Sequence, residues 1–130
     1  MATLGQAQEE FAICEANLGV WIYSQGWAQR KKELLRTKEQ AELYAAAGKG
    51  SLNSVHRKGL AIDFVLSING DVTWEIEHYR VVADHWKTLH ELARWGGDFR
   101  RKVRNPRTGK YEFRPWYDVM HFSFEWQGVK

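Results

Sequence analysis

The sequence predicts an α+β domain in which helices pack on a small antiparallel sheet. Three observations point there. Leu4, Ala7, Phe11, Cys14, Leu18 and Ile22 recur at steps of three and four, the spacing of one helix face. Leu60 to Ser67 is an apolar run that ends in Asn69-Gly70-Asp71, the turn chemistry of a hairpin. Val119 to Trp126 sets Met120, Phe122 and Phe124 against His121, Ser123 and Glu125, the alternation of a strand.

The remaining elements follow in order. The first helix, about 4 to 25, stops at Gly26, because glycine takes the left-handed C-cap conformation cheaply. Trp27 to Leu35 is short, mixed and basic, and reads as a strand. Thr37 with Gln40 three residues on has the form of a capping box, opening a helix over 38–47 that ends at Gly48. Gly48 to Ser54 is a loop by composition. Val72 to Trp74 returns as the second hairpin strand. Tyr79, Val82, Trp86, Leu89 and Ala93 mark a second long helix over 76–94, broken by Trp95-Gly-Gly-Asp98. The basic stretch 100–115, with Pro106 and Pro115, is expected to be a loop.

A chain of 130 residues falls within the size of one domain, so 1–130 is expected to be a single unit. Apolar residues make up 44% of it and seven are Trp, enough to bury a core and to line a groove. Mean hydropathy is -0.55, and no apolar run is long enough to span a bilayer. The first ten residues lack the basic and apolar regions of a signal peptide, so folding in the cytosol is expected. Cys14 is the one cysteine, which excludes an internal disulfide and a thiolate zinc cluster and suits a packed core thiol.

Net charge is +3, unevenly spread. Arg100, Arg101, Lys102, Arg104, Arg107, Lys110 and Arg114 crowd together, which suits either a solvated loop or an anionic partner: nucleic acid, a membrane surface or a cell-wall polymer.

Two stretches carry the chemistry. Ser54 to Asp63 offers an imidazole at His56 and a carboxylate at Asp63; Asp118 to His121 offers a second of each. Two histidines and one carboxylate are a usual ligand set for catalytic zinc, and a spare carboxylate suits a general base. Taken singly, each residue has an ordinary explanation: a loop histidine, a turn-capping carboxylate, a core histidine, a loop acid. Asp63 nevertheless lies in an apolar run, where an unpartnered carboxylate is costly. His78, His85 and His90 lack the His-Glu-x-x-His pattern and read as surface or packing residues.

Ser54-x-His56-x-x-Gly59-Leu-Ala-Ile-Asp63, Trp95-Gly-Gly-Asp-Phe99 and Asp118-x-x-His121-Phe122 together resemble the zinc D-alanyl-D-alanine carboxypeptidase family, and within it the phage endolysins that act as L-alanyl-D-glutamate endopeptidases. Arg36-Thr37-x-Glu39-Gln40, with Tyr44 and Gly48, resembles the family's upstream arginine segment. The resemblance implies a Hedgehog/DD-peptidase-like fold. It implies Zn2+ bound by His56, Asp63 and His121, with Asp118 as general base and Arg36 steadying the oxyanion. Ser54 would position the substrate or the first histidine. Trp95 would form part of the site wall, braced by Asp98. The implied substrate is the peptidoglycan stem peptide, cut by a monomer with no stable membrane anchor and no nucleic-acid partner. Such an enzyme waits in the host cytoplasm until it is released to the cell wall. The 18 residues between Phe99 and Asp118 are longer and more basic than this branch leads one to expect. A D-Ala-D-Ala carboxypeptidase is the rival within the enzyme class. A small basic nucleic-acid-binding domain or a non-catalytic wall-binding module is the rival outside it.

Overall fold

The computed structural model describes residues 2–33, 54–115 and 117–130. Helix α1 spans Leu4–Ser24 and is followed by strand β1, Trp27–Glu33. Strands β2 (Ala61–Ile68) and β3 (Asp71–Thr73) form a hairpin. Then come helix α2 (Ile76–Leu89), strand β4 (Ala93–Trp95), a 3-10 turn over Gly96–Asp98, strands β5 (Arg100–Arg104) and β6 (Tyr111–Pro115), and β7 (His121–Phe124). The expected helix over 38–47, its capping box at Thr37 and Gln40, and Arg36 lie outside the described residues.

The main sheet runs β1-β2-β7-β4, and every pairing is antiparallel. Strand β2 is its centre. β1 pairs along one edge of it, while β7 and β3 share the other, β7 at Ala61–Asp63 and β3 at Leu66–Ile68. The α+β expectation therefore holds, with the two helices of the described residues packed on the sheet.

Each helix buries the face its spacing predicts. Ala7, Phe11, Cys14, Leu18 and Ile22 of α1 are buried, as are Tyr79, Val82, Ala83 and Trp86 of α2. Phe11 meets Trp86 and Phe124 edge-on, and Phe64 stacks on Phe122 at 4.5 Å. The polar tips of Tyr79 and Trp86 are satisfied. The Tyr79 hydroxyl accepts from the Leu66 N–H and donates to the Thr73 carbonyl, tying α2 to the hairpin. The Trp86 indole donates to the carbonyls of Arg94 and Ser123, tying α2 to β4 and β7. The Asn69-Gly70 turn has positive φ at both residues, 54° and 86°, the geometry a two-residue hairpin needs.

Several expectations need correction. Helix α2 ends at Leu89, not near residue 94. His90 is extended, and Ala93–Trp95 joins the sheet beside β7, because pairing with Phe122–Phe124 satisfies their backbone groups and buries Ala93 and Trp95. Leu89 and Ala93 belong to one apolar stripe, but they lie on two different elements, Leu89 partly buried at the end of α2 and Ala93 buried in β4. Residues 100–115 are not a loop: β5 and β6 pair in register from Arg100↔Pro115 to Arg104↔Tyr111. The reversal is closed by Asn105 and Gly109, with Gly109 at φ 69°. Thr3 caps α1 through a reciprocal box with Gln6, a signal of the same form as Thr37/Gln40 that the periodicity reading passes over.

Candidate metal centre

The register of β2 against β7 creates the centre. Ile62 pairs with Phe122, and both point into the core; their neighbours Asp63 and His121 pair directly and so share the opposite face. His56 arrives from the turn at 55–59. That turn closes with the Leu60 N–H donating to the Val55 carbonyl at 2.9 Å and the Gly59 N–H to the His56 carbonyl at 3.2 Å. Gly59 sits at φ 69°, a conformation that a side chain would strain. The Ser54 hydroxyl accepts from the His56 backbone N–H, fixing the approach of that residue to the strand.

Among the described residues, His56, Asp63 and His121 form a group whose ligand atoms all lie within 4.8 Å of one another. His56 Nε2 is 3.3 Å from Asp63 Oδ2, and His121 Nδ1 is 3.3 Å from Asp63 Oδ1. The rings stand 5.1 Å apart, nearly perpendicular. Both imidazoles are about 4% exposed, so the cluster is sunk in the surface with Asp63 as its more open member. Burial pushes the Asp63 carboxyl up, but the two imidazoles outweigh it and hold the group well below the usual carboxylate range.

These contacts do not satisfy the donors and acceptors present. The nitrogens nearest the Asp63 carboxylate are His56 Nε2 and His121 Nδ1; the other ring nitrogens, His56 Nδ1 and His121 Nε2, and also Asp63 Oδ1, are buried without a hydrogen-bond partner among the described residues. Buried polar atoms are seldom left so. Two imidazole nitrogens and a carboxylate converging on one point fit a divalent ion, and their N/O softness fits zinc, which takes three protein ligands and leaves a position open.

Asp118 begins the turn that leads into His121. Its backbone N–H donates to the Gly96 carbonyl, and its own carbonyl accepts from the His121 N–H, both at 3.1 Å. A Cβ on Gly96 would stand 2.0 Å from the Asp118 carbonyl oxygen, so glycine is required there for the two segments to touch. Trp95 is 1% exposed, and its indole donates to the Val119 carbonyl at 2.9 Å. That bond ties it to the 118–121 turn. Asp98 pairs with Lys87, tying the Gly96–Asp98 turn to α2. Phe99 contacts His121, at 5.4 Å between rings; the sequence reading places Phe99 in the same motif set as His121 without giving it a role.

The other histidines pack. His85 stacks on Trp21 at 4.2 Å, His78 meets the Thr73 hydroxyl, and His90 meets Glu10. Cys14 is buried. Among the described residues, no helix is long and apolar enough to cross a membrane.

No family model and no curated protein sequence matches the chain. Among solved structures it is similar to the L-Ala D-Glu endopeptidase ChiX of Serratia marcescens, with 24% identity and a TM-score of 0.57 over 75% of this chain and 67% of that one. The likeness shows that the two share an α+β fold.

Proposed function

We propose that this chain is a zinc-dependent peptidoglycan peptidase, an endolysin that hydrolyses the L-Ala–D-Glu bond of the murein stem peptide. The observation that carries the reading is the His56–Asp63–His121 cluster, three ligand atoms within 4.8 Å, in a fold similar to that of an L-Ala D-Glu endopeptidase. The whole chain, 1–130, acts as one peptidase domain. It works as a monomer, held in the host cytoplasm until it reaches the wall.

His56, Asp63 and His121 would hold the ion. When bound, zinc supplies Lewis acidity and lowers the pKa of water to about 7. The protein's own groups do the rest. The Asp118 carboxylate takes the proton of the attacking water and passes it to the leaving amine nitrogen. Arg36, outside the described residues, steadies the negative charge that develops on the carbonyl oxygen. Ser54 orients His56 through its backbone. Trp95 keeps Asp118 and His121 in register by holding Val119.

The test is direct. Zinc per chain is measured, and purified murein is digested with and without a chelator. The expected result is a chelator-sensitive release of new D-Glu amino termini. Intact murein after incubation with the zinc-loaded protein would sink the proposal.

A further inference from the structure

The proposed reaction does not use the most highly charged part of the molecule. Residues 100–115 hold seven Arg and Lys against one Glu, or +6. The rest of the chain, with 12 basic and 15 acidic residues, holds -3. The chain's net positive charge therefore comes from one hairpin, and the remainder is net acidic.

The hairpin stands apart. β5 and β6 form a two-stranded sheet of their own, and every residue of β6 is exposed. Directly paired residues share a face. Arg100, Lys102 and Arg104 pair with Pro115, Phe113 and Tyr111, so three cations on one strand lie beside two aromatic rings on the other. Phe113 is 76% exposed and Tyr111 62%, and Lys102 Nζ sits 4.8 Å from the Tyr111 ring centre. The hairpin's one acid, Glu112, is on the opposite face, bound by Asn105 and Arg114.

Both ends of the hairpin are rooted at the metal centre. Phe99, just before β5, packs on His121; Asp118, three residues after β6, accepts from the His121 N–H. Arg100, Phe113 and Phe99 also line a cleft of about 440 Å³.

We propose that the Arg100, Lys102, Arg104, Tyr111 and Phe113 face is a docking surface for the murein polymer itself, holding the substrate beside the His56–Asp63–His121 cluster. This rests on the peptidase reading. Free carboxylates of the stem peptides meet the three cations, and sugar rings lie on the two aromatic faces. Murein suits the placement better than a lipid surface, because whatever binds the hairpin is delivered to the centre on which it is rooted.

The full chain is compared with Lys102→Glu/Arg104→Glu, Tyr111→Ser/Phe113→Ser, and the charge-preserving Lys102→Arg/Arg104→Lys. Each is sedimented with purified sacculi over a salt series and assayed on sacculi and on a short soluble muropeptide. The parent and the charge-preserving variant should bind sacculi alike, and less at high salt. The charge-reversed variant should need at least about tenfold more sacculi for half-saturation, while hydrolysing the soluble muropeptide within about twofold of the parent. The aromatic variant should lose affinity for sacculi with less change in salt dependence. Unchanged sacculi binding by the charge-reversed variant overturns the inference. So does a parent that binds phosphatidylglycerol vesicles or duplex DNA more tightly than sacculi. If sacculi are bound through the hairpin charges but never cut, the peptidase reading fails while the docking surface stands.

Discussion

Asp63 and His121 are direct cross-strand partners, and Asp63 Oδ1 stands 3.3 Å from His121 Nδ1. That one register pair places two of the three converging donors, and the 55–59 turn adds the third. A site preformed by the sheet should couple metal binding to stability, since the unfolded chain lacks it. Zinc at a hundred times its dissociation constant contributes about 2.7 kcal/mol. Chelation should therefore lower the melting midpoint by several degrees, and added zinc should restore it. His56→Ala and His121→Ala should each abolish both the bound metal and the shift. A midpoint indifferent to zinc and chelator in the parent would rule out a metal at this cluster.

Asp118 provides two separable things. Its backbone holds the turn against Gly96 and His121, and its side chain is the proposed base. Asp118→Ala leaves those backbone contacts possible, so the variant should keep its zinc. Turnover should fall by roughly 10²–10⁴-fold, the usual contribution of a positioned general base. Metal content and murein turnover measured on the same preparation separate the two effects. A variant as active as the parent would remove Asp118 from the mechanism.

Cys14 is buried in α1, with Sγ 3.7 Å from the Leu89 carbonyl. Burial, and then the nearby Glu10, push its thiol pKa up from the ordinary value of 9.0. The neutral thiol is thus favoured in the folded state. Its contribution to stability is complete at neutral pH and is lost as pH rises beyond the ordinary thiol value. Alkylation at neutral pH should be at least about tenfold slower in the native protein than in denaturant, because the thiolate is the nucleophile. Equal rates would show that the core against which α1 packs does not cover this residue.

The sheet and both described helices were legible because their burial is periodic: the Phe11–Ile22 stripe, the alternation of Phe122 and Phe124, and Asn69-Gly70 each have one economical fold. The donor set was legible because Asp63 is a carboxylate in an apolar run, which burial makes expensive. Other features depended on partners distant in sequence. Ala93–Trp95 continues a helical stripe, and only its pairing with β7 makes it a strand. The β5–β6 hairpin buries nothing across β6, so no apolar alternation announced it, and its two prolines argued for a loop. The Trp95 site-wall role was implied by the resemblance alone, and no residue pattern announced the bond from its indole to the Val119 carbonyl.

Gly96 and Gly5 make a matched pair of substitutions. A Cβ at Gly5 meets nothing within 4 Å, and the residue lies in α1. Gly5→Ala should therefore stabilise the protein by about 0.5–1 kcal/mol through lower chain entropy. A Cβ at Gly96 would stand 2.0 Å from the Asp118 carbonyl oxygen, which is backbone and cannot rotate aside. Gly96→Ala must push the Asp118 turn away, at a cost of about 1–3 kcal/mol typical of overpacking. Because that turn runs straight into His121, the displacement should also reach the metal centre. Zinc affinity and murein turnover should drop in Gly96→Ala and stay at the parent level in Gly5→Ala. Urea unfolding midpoints together with zinc titration read both effects. A Gly96→Ala protein with parental zinc affinity and turnover would show that the 96–118 contact does not position the centre.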